Sequence, residues 1–152
     1  MDVYRITLSP YAGSLQASGR PARWNGKGMF MVYTAGSVAL ACLENLAHRS
    51  NVDISAASYA VTVLHIPDRL LIERYSDDDL EKLHPEWFHI RQYPMTQEVG
   101  DRWLRGNPSA VLGVPSAIIR NEYNYLINPR HPDSAKIKVS SVMPFTFDNR
   151  LL

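Results

Sequence analysis

Residues 9–28 are rich in Ser, Gly, Pro and Ala and carry little apolar periodicity. A stretch of that length without secondary structure is uncommon inside a compact domain and points to a binding or covering loop. Its flanks read as strands. Val3 to Thr7 alternates between apolar and polar residues, and Met29 to Thr34 is a continuous apolar run with aromatics, suited to a buried strand. The chain must therefore fold so that a long excursion leaves one strand and returns through another.

The rest alternates between the two periodicities. Ser37 offers an N-cap for a helix through about Arg49, with Leu40, Leu43 and Ala47 as its apolar stripe. Ala60 to Ile66 is β-branched and apolar, stopped by Pro67. Asp77, Asp78 and Asp79 precede Leu80 and Leu83, an acidic first turn that suits the dipole of a short helix. Thr96 to Arg105 predicts another helix, closed by Gly106 and Pro108. Short apolar stretches follow at 110–114, 117–120, 123–127 and 136–142, separated by turn residues. The sequence thus predicts an α+β fold in one domain spanning 1–152.

Composition narrows function by exclusion. Sixteen Lys and Arg against fifteen Asp and Glu leave a net charge of +1, which argues against a basic nucleic-acid-binding surface. No apolar run approaches a membrane span, and Met1-Asp2-Val3-Tyr4-Arg5 does not open a signal peptide, so a soluble cytoplasmic protein is expected. Cys42 is the single cysteine, which removes disulfides and cysteine-based metal clusters. His48, His65, His84, His89 and His131 form no His-x-x-x-His or Glu-x-x-His pair and read as scattered surface or boundary residues, so no metal is expected. Gly26, Gly28 and Gly36 make no dinucleotide or Walker fingerprint.

Two segments invite chemistry. Arg20 to Gly28 packs Arg20, Arg23, Lys27, Trp24 and two glycines into part of the long loop. A guanidinium beside close-approaching glycine backbone suits a diphosphate. A glycine-rich turn with surface arginines explains the composition equally well. Glu44 follows Tyr33 by eleven residues and sits to one side of the Leu40/Leu43/Ala47 stripe, at the edge of the buried face. A half-buried carboxylate there could stabilise developing positive charge, although a solvent-facing glutamate is the simpler reading. Ser116 and the Asn-rich 121–129 segment can orient a polar ligand or simply form turns.

Taken together, these segments resemble the RES domain, the toxin component of bacterial Res–Xre toxin–antitoxin pairs. The arginine, glutamate and serine of that family's name match Arg23 in Arg-Trp-Asn-x-x-Gly, Glu44 in Leu-Glu-x-Leu and Ser116 in Val-Pro-Ser. Further blocks are Val3-Tyr4-Arg5-Ile6, Val32-Tyr33-Thr34-Ala35, Asn124 to Pro129 and Pro144 to Asp148, in family order. Ala22 departs from the glycine often found before the arginine.

The resemblance implies a split β core like that of diphtheria-toxin-type ADP-ribosyltransferases, NAD as substrate, and an Xre-like antitoxin covering the NAD cleft. It implies the toxin of a type II toxin–antitoxin pair that arrests growth. The reaction would be hydrolysis or phosphorolysis of the nicotinamide–ribose bond. The alternatives are ADP-ribosylation of a protein target or a degenerate binding module. Self-association is expected from the family alone. On that basis Glu44 is assigned to the ribose, Tyr33 to stacking on nicotinamide and Arg23 to the diphosphate. Arg5 and Lys27 would add phosphate contacts, and Ser116 and Asn124 would be cleft polar groups or scaffold.

Overall fold

The computed structural model describes residues 1–48 and 57–152. Strands β1 (Asp2–Leu8), β2 (Val32–Ala35), β3 (Tyr59–His65), β4 (Ile72–Arg74), β5 (Val111–Pro115), β6 (Tyr123–Ile127) and β7 (Lys138–Phe145) form one sheet. Their spatial order is β4-β5-β6-β2-β1-β3-β7. β4 runs parallel to β5, and the remaining neighbours are antiparallel. Helices α1 (Val38–Ala47), α2 (Asp77–Leu83) and α3 (Tyr93–Gly106) complete the regular structure of the described residues, with short 3-10 turns between. The expected α+β fold with a split β core is what the chain adopts.

The split lies at the centre of the sheet. β1 pairs with β3 along its whole length, from Asp2↔His65 to Leu8↔Tyr59. β2 pairs with β6 along its whole length, from Val32↔Ile127 to Ala35↔Asn124. Between β1 and β2 the register holds the one pair Tyr4↔Ala35. Past that pair the strands part, leaving two leaves joined at a corner.

A strand that loses its neighbour leaves backbone groups to be satisfied by other means. α1 supplies one answer. It enters directly after β2, where the Ser37 side chain accepts the Leu40 N–H at 3.1 Å, the N-cap the sequence predicts. It lies against the β1–β3 leaf, with Leu40, Ala41 and Cys42 packed among Ile6, Val61 and Val63. From that position the Asn45 amide donates to the Ile6 carbonyl at 2.8 Å, doing what a paired β2 would otherwise do.

On the same face of the sheet, the other leaf is covered by α2 and α3. Leu80, Trp87, Val99 and Trp103 bury against Leu112, Val114 and Leu126, and Trp24 of the long loop joins them. α2 begins with a complete capping box between Ser76 and Asp79.

Several boundaries differ from expectation. The apolar stripe of α1 is not Leu40/Leu43/Ala47: Ala47 is exposed and Leu43 half-buried, while Ala41 and Cys42 are buried. The small side chains, not the large ones, allow the helix to approach the leaf. Arg49, the expected end of this helix, lies outside the described residues. Residues 117–120 are a turn, because the Ser116 hydroxyl accepts the N–H groups of Ile118 and Ile119, both at 3.1 Å. β2 starts at Val32 rather than Met29, and α3 starts at Tyr93 rather than Thr96, with proline in its first turn. β4 was not expected: three residues are too few to show a period. Ser37→Ala should cost about 1 kcal/mol, the usual worth of a serine cap, read as a lower thermal midpoint; an unchanged midpoint would show that tertiary packing alone holds α1.

Candidate active site

The parting of β1 from β2 opens a cleft of about 320 Å³. Its walls are residues 4–7 of β1, residues 33–35 of β2, Ala41, Glu44 and Asn45 of α1 with its C-cap His48, and Ala22 and Asn124. Positions 41, 44, 45 and 48 are spaced i, i+3, i+4, i+7, which is one face of a helix. The same rotation of α1 that buries Ala41 and Cys42 therefore turns Glu44 into the cleft.

Glu44 is the centre of this face. Its side chain is 19% exposed. Oε1 accepts from Ser116 Oγ at 2.9 Å and from Asn124 Nδ2 at 2.5 Å. Oε2 lies 3.5 Å from His48 Nε2. Burial by itself would raise the Glu44 pKa, but the hydrogen bonds from His48, Asn124 and Ser116 outweigh it and hold the carboxyl below its ordinary 4.5. The result is a sheltered, ionised carboxylate with one oxygen engaged by Ser116 and Asn124 and the other beside His48.

Ser116 is buried, and its hydroxyl is shared between the Glu44 carboxylate and the turn at 118–119. Its visible task is to orient Glu44. Asn124 lines the cleft and does the same.

The arginine loop is built as rigidly. Asn25 is buried and its amide donates to the carbonyls of Arg20, Gly26 and Met29. The Tyr33 hydroxyl donates to Asn25 Oδ1 at 2.6 Å and accepts the Trp24 N–H at 3.1 Å. Tyr33 thus fastens the loop to β2 with its hydroxyl and lends its ring to the cleft wall. Burial pushes its phenol pKa up, so it stays protonated.

Two cations flank the cleft. Arg5 lines it, with its guanidinium donating to the carbonyls of Ser14 and Gln16, both at 3.1 Å. The Arg23 guanidinium lies beside it, donating to the carbonyls of Trp87 at 3.4 Å and Phe88 at 2.9 Å and stacking 4.7 Å from the Tyr93 ring centre. Burial lowers the pKa of both, and for Arg23 the electrostatic influence of Tyr93, Glu44 and Tyr33 acts in the opposite direction. Guanidinium stays charged even so. Neither forms an ion pair among the described residues. Two half-sheltered cations held by carbonyls and lacking a carboxylate are suited to an anionic ligand.

The structure therefore brings Arg5, Tyr33, Glu44 and Asn124 to one cleft, with Arg23 beside it and Ser116 behind Glu44. Lys27 is exposed in the turn and is not part of the cleft wall. His48 is a correction to the view of five scattered histidines: it lines the cleft and touches Glu44. Its i, i+4 spacing from Glu44 was the available signal. Asn45, four residues after Ala41 on the same face, was also missed. Among the described residues, no cluster of His, Cys, Asp and Glu is arranged to hold a metal, and no helix is long and apolar enough to cross a membrane.

A depressed folded pKa stabilises the fold above the unfolded value and is lost as pH falls through the folded one. Glu44 should accordingly titrate below 4.5, observed by carboxyl ¹³C chemical shift, and Ser116→Ala should move that titration upward. An identical titration in both proteins would separate Ser116 from the carboxylate.

Residues 2–148 match the family model of the RES domain. A protein named Toxin Res from Pseudomonas putida is 36% identical over 160 residues, with 99% of each chain covered. Another Toxin Res, from Yersinia enterocolitica, is 33% identical over 157 residues, again covering 99% of each. A protein named Prs ADP-ribosylating toxin from Sphingobium sp. is 34% identical over 130 residues, covering 86% of this chain and 80% of that one. The fold is similar to a chain in the crystal structure of the M. tuberculosis MbcT-MbcA toxin-antitoxin complex, with a TM-score of 0.76 at 16% identity, covering 95% of this chain and 84% of that one.

Proposed function

The chain belongs to the RES domain family, and on that premise we propose that it is the toxin of a toxin–antitoxin pair and consumes NAD by breaking the nicotinamide–ribose bond. The observation that carries this reading is the ionised Glu44 carboxylate in the split of the sheet, flanked by Arg5 and Arg23, which form no ion pair among the described residues.

Each part has a task. About 320 Å³ is at the low end of small-molecule sites. It suits the nicotinamide riboside half of the dinucleotide, with the diphosphate drawn to Arg5 and Arg23 at the margin. As the C1′–N bond breaks, its electron pair leaves with nicotinamide and positive charge grows on the ribosyl carbon. Glu44 is attracted to that charge as it develops, which is differential binding of the transition state. The Tyr33 ring, fixed through its hydroxyl, forms the wall against the nicotinamide. Ser116, Asn124 and His48 keep the carboxylate ionised and aimed. The oxygen of water or phosphate then bonds to C1′.

A second reading keeps the same site and changes the acceptor to a protein side chain. It is favoured by the Sphingobium relative, whose name is that of an ADP-ribosylating toxin. In either reading the partner is an antitoxin that covers the cleft, a proposal supported by the relatives' names and by the complex that holds the structural neighbour.

Single-turnover nicotinamide release tests this. Glu44→Gln should lower the rate by about 10²–10³ with NAD affinity and thermal midpoint nearly unchanged, because Gln keeps the shape and loses the charge. Release within threefold of wild type by a folded Glu44→Gln would remove catalysis from this cleft. The products identify the acceptor: ADP-ribose for water, its 1″-phosphate for phosphate, a labelled protein for transfer. No NAD turnover with any acceptor would leave a binding module.

A further inference from the structure

We propose that α3, which contributes nothing to the cleft wall, sets the affinity for the dinucleotide by holding the arginine loop, and that Asp101 is the positioning residue of this clamp. The inference rests on the NAD reading of the cleft and adds to it a control element outside the cleft.

Four positions on one side of α3 meet four residues of the loop, Ala22, Arg23, Trp24 and Gly26. Gln97 Nε2 donates to the Ala22 carbonyl at 2.8 Å. The Thr96 hydroxyl donates to the Arg23 carbonyl at 2.6 Å. The Gly26 N–H donates to the Asp101 carboxylate, 2.9 Å from Oδ1 and 3.2 Å from Oδ2. Between these, Gly100 lets the loop backbone touch the helix: a Cβ there would stand 1.8 Å from the Trp24 carbonyl oxygen. Positions 96, 97, 100 and 101 repeat at i, i+1, i+4, i+5, so they form two adjacent columns on one helix face.

The consequence falls on Arg23. Its carbonyl is fixed by Thr96, the loop is fixed before it at Ala22 by Gln97 and after it at Gly26 by Asp101, and its guanidinium reaches the Trp87 and Phe88 carbonyls. Asp101 makes no ion pair among the described residues. Its charge is directed at a loop amide, and a charge-assisted bond of this kind is stronger than a neutral one. The contact is close on the Gly26 side as well: a Cβ on Gly26 would sit 2.8 Å from Asp101 Oδ2, so a larger residue there would push the carboxylate aside. The clamp therefore acts on the ground-state grip on the diphosphate and leaves the Glu44 chemistry alone. Loss of such uniform binding raises KM and spares kcat.

The experiment is steady-state NAD turnover by the purified chain in a double-mutant cycle. Asp101→Ala should raise KM about tenfold, with kcat within threefold of wild type. Asp101→Asn, which retains an oxygen to accept the Gly26 N–H, should recover most of the loss. In an Arg23→Ala background Asp101→Ala should add less than twofold to KM, because the residue it positions is gone. Gln97→Ala, at the opposite end of the clamp, should reproduce the KM effect in a protein with a near-native thermal midpoint. An unchanged KM in folded Asp101→Ala, or an equal increment with and without Arg23, would overturn the clamp while leaving the functional reading intact. Absence of NAD turnover by the wild-type chain, or a wild-type KM in Arg23→Ala, would instead bring down the assignment of Arg23 and the clamp with it.

Discussion

The single Tyr4↔Ala35 pairing between β1 and β2 is the constraint on which the rest depends. A continuous sheet would bring the β1 and β2 backbones together and leave no cavity. By parting, the strands expose backbone polar groups whose burial without partners costs roughly 1–3 kcal/mol each. The chain answers with side chains, as in the Asn45 amide on the Ile6 carbonyl. α1 must then lie across the gap, and the residues on its near face become cleft residues. The location of Glu44 follows from how the sheet is satisfied, not from a separate device.

The charges obey the same logic. Glu44 is sheltered yet ionised because its hydrogen bonds more than offset burial. Arg5 and Arg23 are sheltered yet bound to carbonyls rather than carboxylates. A carboxylate in direct contact with either would neutralise the site in the free protein. Holding the three charges apart keeps each available, the anion for a developing cation and the cations for an anion. Preorganisation of this kind avoids reorganisation when the reaction occurs. The loop shares it: Asn25, Tyr33 and α3 fix its backbone before any ligand arrives.

Local signals in the sequence were readable where they act locally. Ser37 as a cap, Pro67 after β3 and the acidic start of α2 each concern a few neighbouring residues. Arg23, Tyr33 and Glu44 were singled out from residue chemistry, and family resemblance joined them. What could not be read arises from tertiary contact. The rotation of α1 depends on which leaf it packs against, so Leu43 and Ala47 looked internal and His48 looked incidental. Ser116 and Asn124 read as possible ligand contacts because their partner, Glu44, is 72 and 80 residues away. The engagement of the Tyr33 hydroxyl by Asn25 and Trp24 was invisible for a similar reason: the loop had to fold back on β2 first.

The central claim is that the split between β1 and β2 holds the nicotinamide riboside with Glu44 at the ribose. A crystal structure of the Glu44→Gln protein with NAD tests it most directly. The account predicts nicotinamide against the Tyr33 ring, the adjoining ribose within hydrogen-bonding distance of residue 44 and the diphosphate at Arg5 and Arg23. Density for the dinucleotide elsewhere on the protein, with the split empty, would contradict it.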